Sequence, residues 1–247
     1  MTAYTEAAAR RLPRGWAHLA LQFAIWIGFY LVYQVARGAA DQSVERAFAN
    51  GQWIIDFQRS LGSMLELPLQ RLVEGSAFLI QATSYTYWLS QFAVIGLALL
   101  WVYFNAHDGF FRFRNTLILA NLIGLVGYVT LPTAPPRMFP QAGFNDTLAQ
   151  HAAVSHESSL VSFTSNPYAA MPSLHSCDAL IVGLVMASVV RRPWAKALWL
   201  AWAPWVWFSV MATGNHFWLD IAAGILVAAI AGAVVYRRPL ARRLARA

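Results

Sequence analysis

Two histidines stand where a polar loop meets a long apolar run: His175 in Pro172-Ser173-Leu174-His175, and His216 in Gly214-Asn215-His216-Phe217-Trp218-Leu219-Asp220. Groups that titrate or attack are costly beside hydrocarbon, so two such junctions call for a chemical role. His216 and Asp220 are four residues apart, which sets both on one face of a helix. A carboxylate so placed fixes the imidazole tautomer that leaves the other ring nitrogen free to attack. Phosphorus suits this pair as the electrophile. His216 attacks, His175 supplies a proton to the departing alcohol oxygen, and one hard displacement becomes two easier ones through a phosphohistidine.

A transferring phosphoryl group needs fixed positive charge around its equatorial oxygens. Arg137 is the basic residue between the third apolar run and the fourth, and a guanidinium can hold two oxygens at once. Ser173, at the head of the fourth run, offers a hydroxyl and the N–H groups of a helix start. Asn215 and Thr213 offer further donors beside His216. Asp178, one helical turn past His175, has two readings: it orients His175, or it is an acid bonded to a neighbouring helix. Tyr168 is a further candidate to support the site. His18, His107, His151 and His156 read as solvated or interfacial. Gln81, Asn121 and Tyr128 suit bonds from helix to helix.

The elements that must carry these residues are apolar. The chain of 247 residues is 58% hydrophobic and 12% charged, which places it among membrane proteins. Six apolar stretches, about 16–36, 76–104, 115–131, 173–190, 194–212 and 217–236, nearly all reach the roughly 17–25 residues of a bilayer-crossing helix. The expected fold is therefore all-α: one integral membrane domain over 1–247, a bundle of six transmembrane helices. The second stretch is long enough to tilt or to extend beyond the lipid.

If the spans alternate, every basic residue except Arg37, Arg46, Arg59, Arg71 and Arg137 falls on one side. Those five share the other side with Asp41, Glu45, Asp56, Glu66, Glu74, Asp146 and Glu157. The positive-inside rule then puts both termini in the cytoplasm and both histidine motifs on the extracytoplasmic side of a plasma or inner membrane. A cleaved signal peptide at the first run is the alternative, but its apolar part exceeds the roughly 7–15 residues usual for one.

Two outer segments complete the layout. Residues 37–75 are amphipathic, with Val44, Ala47 and Phe48, then Ile54, Phe57, Leu61 and Leu65 at helical spacing. The turn pair Asn50-Gly51 breaks them into two interfacial helices. They either cover the bundle or guide lipid to the site. Residues 132–172 carry Pro132, Pro135, Pro136, Pro140 and Pro167 and cannot form one helix, so they make the loop that folds over the site.

Cys177 lies in an apolar run and reads as a packed residue. The tryptophans read as belt and bundle packing. No metal-ligand spacing such as Cys-x-x-Cys occurs, so neither metal nor other cofactor is expected. The net charge of +7 is spread between spans and reads as topology, not as a nucleic-acid surface.

Three segments together, Leu131 to Arg137 (LPTAPPR), Tyr168 to His175 (YAAMPSLH) and Thr213 to Asp220 (TGNHFWLD), resemble the type 2 phosphatidic acid phosphatase superfamily, and more narrowly its inositol phosphorylceramide synthase-like branch. The resemblance runs over about 45–236. It implies a six-helix bundle, metal-independent transfer, His216 as nucleophile, Asp220 as its partner and His175 as the acid. The chain departs from the wider superfamily in reading Pro-Ser-Leu-His for Pro-Ser-Gly-His. It has Val210 after Ser209 where an Arg is common, Thr130 where a Lys is common, and Met138 after Arg137 where a Pro is common. Arg137 is left as the chief source of phosphate-binding charge.

The expected activity is hydrolysis of a lipid phosphate whose tail stays in the bilayer. The alternative is a phosphotransferase in which a polyol such as inositol replaces water. A non-catalytic lipid-binding scaffold is a third reading, against which the intact His175, His216 and Asp220 argue.

Overall fold

The computed structural model describes residues 12–38, 43–147 and 166–244. Arg10, Arg11, Asp41, His151, His156, Glu157 and the middle of the outer 132–172 segment lie outside the described residues. Among the described residues every regular element is helical, and one isolated parallel bridge pairs Thr133 with Ala169.

The elements are α1 (Gly15–Gly38), α2 (Val44–Ser60), α3 (Glu66–Glu74), α4 (Ala77–Leu89), α5 (Ile95–Asn105), α6 (His107–Thr130), α7 (Leu174–Val189), α8 (Pro193–Ala212) and α9 (Trp218–Leu244). A wide π turn, Ser90–Val94, joins α4 to α5 into one 29-residue helix. Four helices are long and apolar enough to cross a membrane: Gly15–Gly38, Ala77–Asn105, His107–Thr130 and Trp218–Arg237. The apolar α7 has 16 residues, and the tryptophan-rich α8 has 20.

α7 is the hub. It packs on α6, α8 and α9, and ten of its residues, from Leu174 to Ala187, are buried. Leu174, Cys177 and Val182 join Val102, Phe113, Leu117, Ala120 and Ala231 in the main core. Cys177 is fully buried there, as a small packed residue. α9 reaches α7 at Gly224, where a Cβ would overlap the Ser173 carbonyl oxygen and crowd Ser176 at 3.2 Å.

Two local expectations are corrected. Asn50-Gly51 does not break the outer helix, because α2 runs through both. The pair is a docking point: Asn50 Nδ2 donates to the Pro132 carbonyl at 2.7 Å, and a Cβ on Gly51 would come within 2.6 Å of the Phe139 ring. The face of α2 that is buried is therefore Ala47, Gly51, Ile54, Ile55 and Gln58, while Val44 and Leu61 are exposed. Secondly, α6 begins at His107 rather than near 115. Its first turns are held by buried Phe110 and Phe113 and by a hydrogen bond from Arg114 to Gln22 of α1.

The outer helices form a second core with the loop. Ala47, Ile54 and Ile55 of α2 pack with Ala134, Phe139 and Phe144 of the outer segment and with Phe217 ahead of α9. This cluster covers one end of the bundle, where α6 ends and α7 and α9 begin. At the other end His18 and His107 sit in an aromatic group with Tyr103 and Phe111, and the His18 ring bonds the Tyr103 hydroxyl at 2.9 Å.

Alanine substitution separates close packing from helix propensity within α9. Gly224→Ala should cost about 1–3 kcal/mol through overlap with α7 backbone. Gly232→Ala, where a Cβ meets nothing within 4 Å, should be neutral or stabilising. Thermal unfolding of the two proteins in detergent checks the difference in sign.

Candidate active site

Each motif segment is set by the way a helix ends or begins. α8 stops in a Schellman arrangement: Gly214 N–H bonds the Met211 carbonyl at 3.0 Å, and Asn215 N–H bonds that of Val210 at 3.0 Å. Gly214 makes this possible with φ +69, and a Cβ there would stand 2.9 Å from the Asn145 carbonyl oxygen. The chain then delivers Asn215 and His216 in succession, with His216 N–H also directed to Val210 O at 3.1 Å.

α9 begins at once, and its open N–H groups meet carboxylates. Asp220 Oδ2 accepts from Phe217 N–H at 2.8 Å, reaching back one turn as a capping box does. Glu66 of α3 accepts from Trp218 N–H at 2.7 Å, while Gln58 donates to the same oxygen at 2.9 Å. Burial pushes the Glu66 carboxyl above its ordinary range, against the pull of these donors.

Four backbone hydrogen bonds tie the motif segments to one another, the longest from Ala170 N–H to Thr133 O at 3.3 Å. Thr133 N–H bonds Tyr168 O at 2.7 Å, Arg137 N–H bonds Gly214 O at 2.8 Å, and Ser173 N–H bonds Asp220 O at 3.0 Å. The side chains meet inside this frame. The His175 and His216 rings lie 5.6 Å apart between centroids, tilted by 58°. His216 Nδ1 stands 3.4 Å from Asp220 Oδ2 without forming a hydrogen bond, and Asp220 Oδ1 has no partner among the described residues. His216 is 5% exposed and Asp220 0%, so the pair is closed to bulk water from the protein side. Burial pushes the His216 imidazole down to about 3, which keeps the ring neutral.

Arg137 is held on two sides. It donates to Asn215 Oδ1 at 2.7 Å, and its Nε lies 3.5 Å from Asp146 Oδ2. Asn215 is in turn fixed by donating to Thr213 Oγ1 at 2.8 Å. Asp146 sits on a stretch pinned by Gln70 of α3, which bonds Asn145 O at 2.7 Å and Thr147 Oγ1 at 3.0 Å.

The structure thus brings His175, His216, Asp220, Arg137, Asn215 and Ser173 together at one end of the bundle, with several groups already engaged. The Ser173 side chain caps α7 by accepting from Ser176 N–H at 3.3 Å, and its own N–H goes to Asp220. The Asn215 carbonyl goes to Arg137. Of the two readings of Asp178, the bond to a neighbouring helix is the one observed: Asn121 of α6 donates to both of its oxygens, at 3.0 and 3.3 Å. Tyr168 contributes its backbone carbonyl to the frame, while its ring lies against Phe48 at 6.3 Å.

Tyr87, Glu66 and Gln70 escaped the sequence reading. Tyr87 stacks on His175 with centroids 4.5 Å apart and planes 22° from parallel. It sits in an aromatic-rich run and gives no signal there. Glu66 carried one faint sign, a lone acid inside an amphipathic apolar face.

A model of the PAP2 superfamily matches residues 52–234, and the chain belongs to that superfamily. Among curated proteins, phosphoinositol dihydroceramide synthase of Bacteroides thetaiotaomicron is 28% identical over 155 residues, 57% of this chain and 50% of that protein. The chain spans about half the length of this relative. No solved structure matches the chain.

The neutral burial of His216 has a sign-specific consequence. Above about pH 6.5 the imidazole is unprotonated whether the chain is folded or not, so it adds no pH dependence. Below that, the unfolded chain binds a proton that the folded site refuses until about pH 3. Stability should therefore fall with acid by up to about 1.4 kcal/mol per pH unit in this window. Thermal unfolding of wild type and His216→Gln at pH 7 and pH 5 should show a smaller acid loss in the variant. Equal losses would contradict a neutral ring.

Proposed function

We propose that this protein is an integral membrane lipid-phosphate phosphatase that works through a phosphohistidine and needs no metal. The observation that carries the reading is the pair of imidazoles 5.6 Å apart, one of them backed by a buried carboxylate at 3.4 Å. The ring nitrogen of His216 turned away from Asp220 attacks phosphorus, and the bond from phosphorus to the alcohol oxygen breaks. His175 gives its proton to that oxygen. Water then attacks the phosphoenzyme, His175 takes up the water's proton, and the P–N bond breaks to release phosphate.

Asp220 completes a hydrogen bond to Nδ1 as positive charge develops on the ring. Apo distances of this kind commonly tighten in the reacting complex. The Arg137 guanidinium, held by Asn215 and Asp146, neutralises the equatorial oxygens from a fixed position. Ser173 and Asn215 line the same oxygens.

The protein is one membrane domain of six spans, in which α7 and α8 cross together with the four longer helices. The α2–α3 pair lies at the interface. The charge pattern puts both termini in the cytoplasm and the site on the extracytoplasmic side. A lipid phosphate then reaches the site from the outer leaflet with its tail still in the bilayer.

One observation favours a second reading, transfer to an alcohol in place of water. The Bacteroides relative is named as a synthase of a phosphoinositol lipid. Both readings share the first half-reaction, and a polyol or lipid alcohol would take the place of water in the second.

Purified protein given lipid phosphates in the presence of a chelator, with and without a polyol, should release phosphate or form a new phosphodiester. Failure to do either would refute both readings. His216→Ala should lower turnover by on the order of a thousandfold or more and abolish an acid-labile phosphoenzyme. His175→Ala should recover most with a substrate whose leaving group needs no proton. Equal losses on good and poor leaving groups would remove His175 from the acid role.

A further inference from the structure

Arg37 ends α1 at the site end of the bundle, and nothing in the site described so far uses it. Its Nε is buried without a hydrogen-bond partner among the described residues. The guanidinium lies over the Tyr128 ring, 5.8 Å from its centroid, and Tyr30, Tyr33 and Tyr87 are also within electrostatic reach. None of these neutral phenols balances a charge. Among the described residues no carboxylate pairs with Arg37, whereas the ion pairs there involve Arg59, Arg137 and His216. A helix C-terminus favours a cation, which accounts for tolerance of charge there but not for a buried N–H left empty. An uncompensated cation in such a place costs several kcal/mol unless an anion joins it.

Its neighbourhood identifies the anion. Among the described residues Arg137 and Arg37 are the two cations that act on the His216 ring, and both also act on Tyr87, which stacks on His175. Arg137 already faces Asp146, so its charge is partly offset before any substrate arrives. A phosphoryl group in transfer carries more negative charge than that balance answers. The other outer arginines are engaged elsewhere: Arg46 bonds Thr130 O, Arg71 bonds Leu67 O, and Arg59 faces Asp56.

We propose that Arg37 is a second phosphate-binding residue, whose empty guanidinium N–H groups take oxygens of the phosphoryl group held between His175 and His216. This rests on the phosphoryl-transfer reading above. The site is thus clamped by arginines from two distant parts of the chain, the end of α1 and the loop after α6. The cavity beside Arg37, walled by Gln34, Gln91, Asn121 and Asp178, gives polar surroundings on its bundle side.

The test uses the full chain in detergent in phosphate-free buffer, with orthovanadate as the probe, and compares wild type, Arg37→Met and Arg37→Lys. Without vanadate, Arg37→Met should be at least as thermostable as wild type, because it removes a half-buried charge whose Nε has no partner among the described residues. Vanadate should raise the unfolding temperature of wild type and not that of Arg37→Met. Its half-inhibiting concentration should rise roughly 10- to 100-fold in the Met variant. Arg37→Lys, which keeps the charge but not the fork, should fall between. A Met variant that is less stable or misfolded would make Arg37 a structural residue and overturn the proposal. So would a Met variant that keeps the wild-type vanadate response, and that result would leave the phosphoryl-transfer reading standing. A wild type indifferent to vanadate would bring down that reading as well.

Discussion

Four main-chain hydrogen bonds, Thr133 to Tyr168, Ala170 to Thr133, Arg137 to Gly214 and Ser173 to Asp220, are the constraint on which this structure turns. They join segments that lie far apart in the sequence, and they act between backbones, so the frame does not depend on which side chains it carries. At a boundary with hydrocarbon an unpaired peptide group is expensive. The loop that leaves α6 and the loops that enter α7 and α9 therefore gain from pairing with one another. Once they are paired, the rings of His175 and His216 have little choice but to face each other. Close backbone approach is the condition for all of this, which is why glycine stands at 214 and 224.

Inside the frame each polar side chain is held by the next. Thr213 holds Asn215, Asn215 holds Arg137, and Arg137 faces Asp146 on a stretch pinned by Gln70. Such a chain, with Asp146 as its carboxylate, keeps the guanidinium in place before any ligand binds. Nδ1 of His216 and Oδ1 of Asp220, the pair proposed to react, are among the buried atoms left without a hydrogen-bond partner.

Much of this was legible in the sequence. His175, His216 and Asp220 announced themselves because a titratable group beside an apolar run is rare, and Arg137 because it is the one base in its loop. The helical stretches followed from hydropathy, with ends within a few residues except at the start of α6 and the end of α9, where charged turns continue the helix past the apolar part. Asn50-Gly51 misled because a turn preference is local, whereas contact with Phe139 and Pro132 is not. Glu66 and Trp218 are 152 residues apart, and no periodicity reports such a pairing. Arg37 read as one more charge at the end of a span, since its lack of a counter-ion is a property of the folded surroundings alone.

The hold of Glu66 on the head of α9 carries a consequence for biogenesis. Translation delivers α3 before α9, so the carboxylate waits until its N–H donor, Trp218, is made 152 residues later. During that interval Phe217 is also missing from the aromatic cap over Phe144. The pocket around His216 and Asp220 therefore cannot close before the head of α9 has been made. A chain that stops short of Trp218 keeps Arg37, Arg137 and His216 but lacks Asp220, the carboxylate that backs the imidazole.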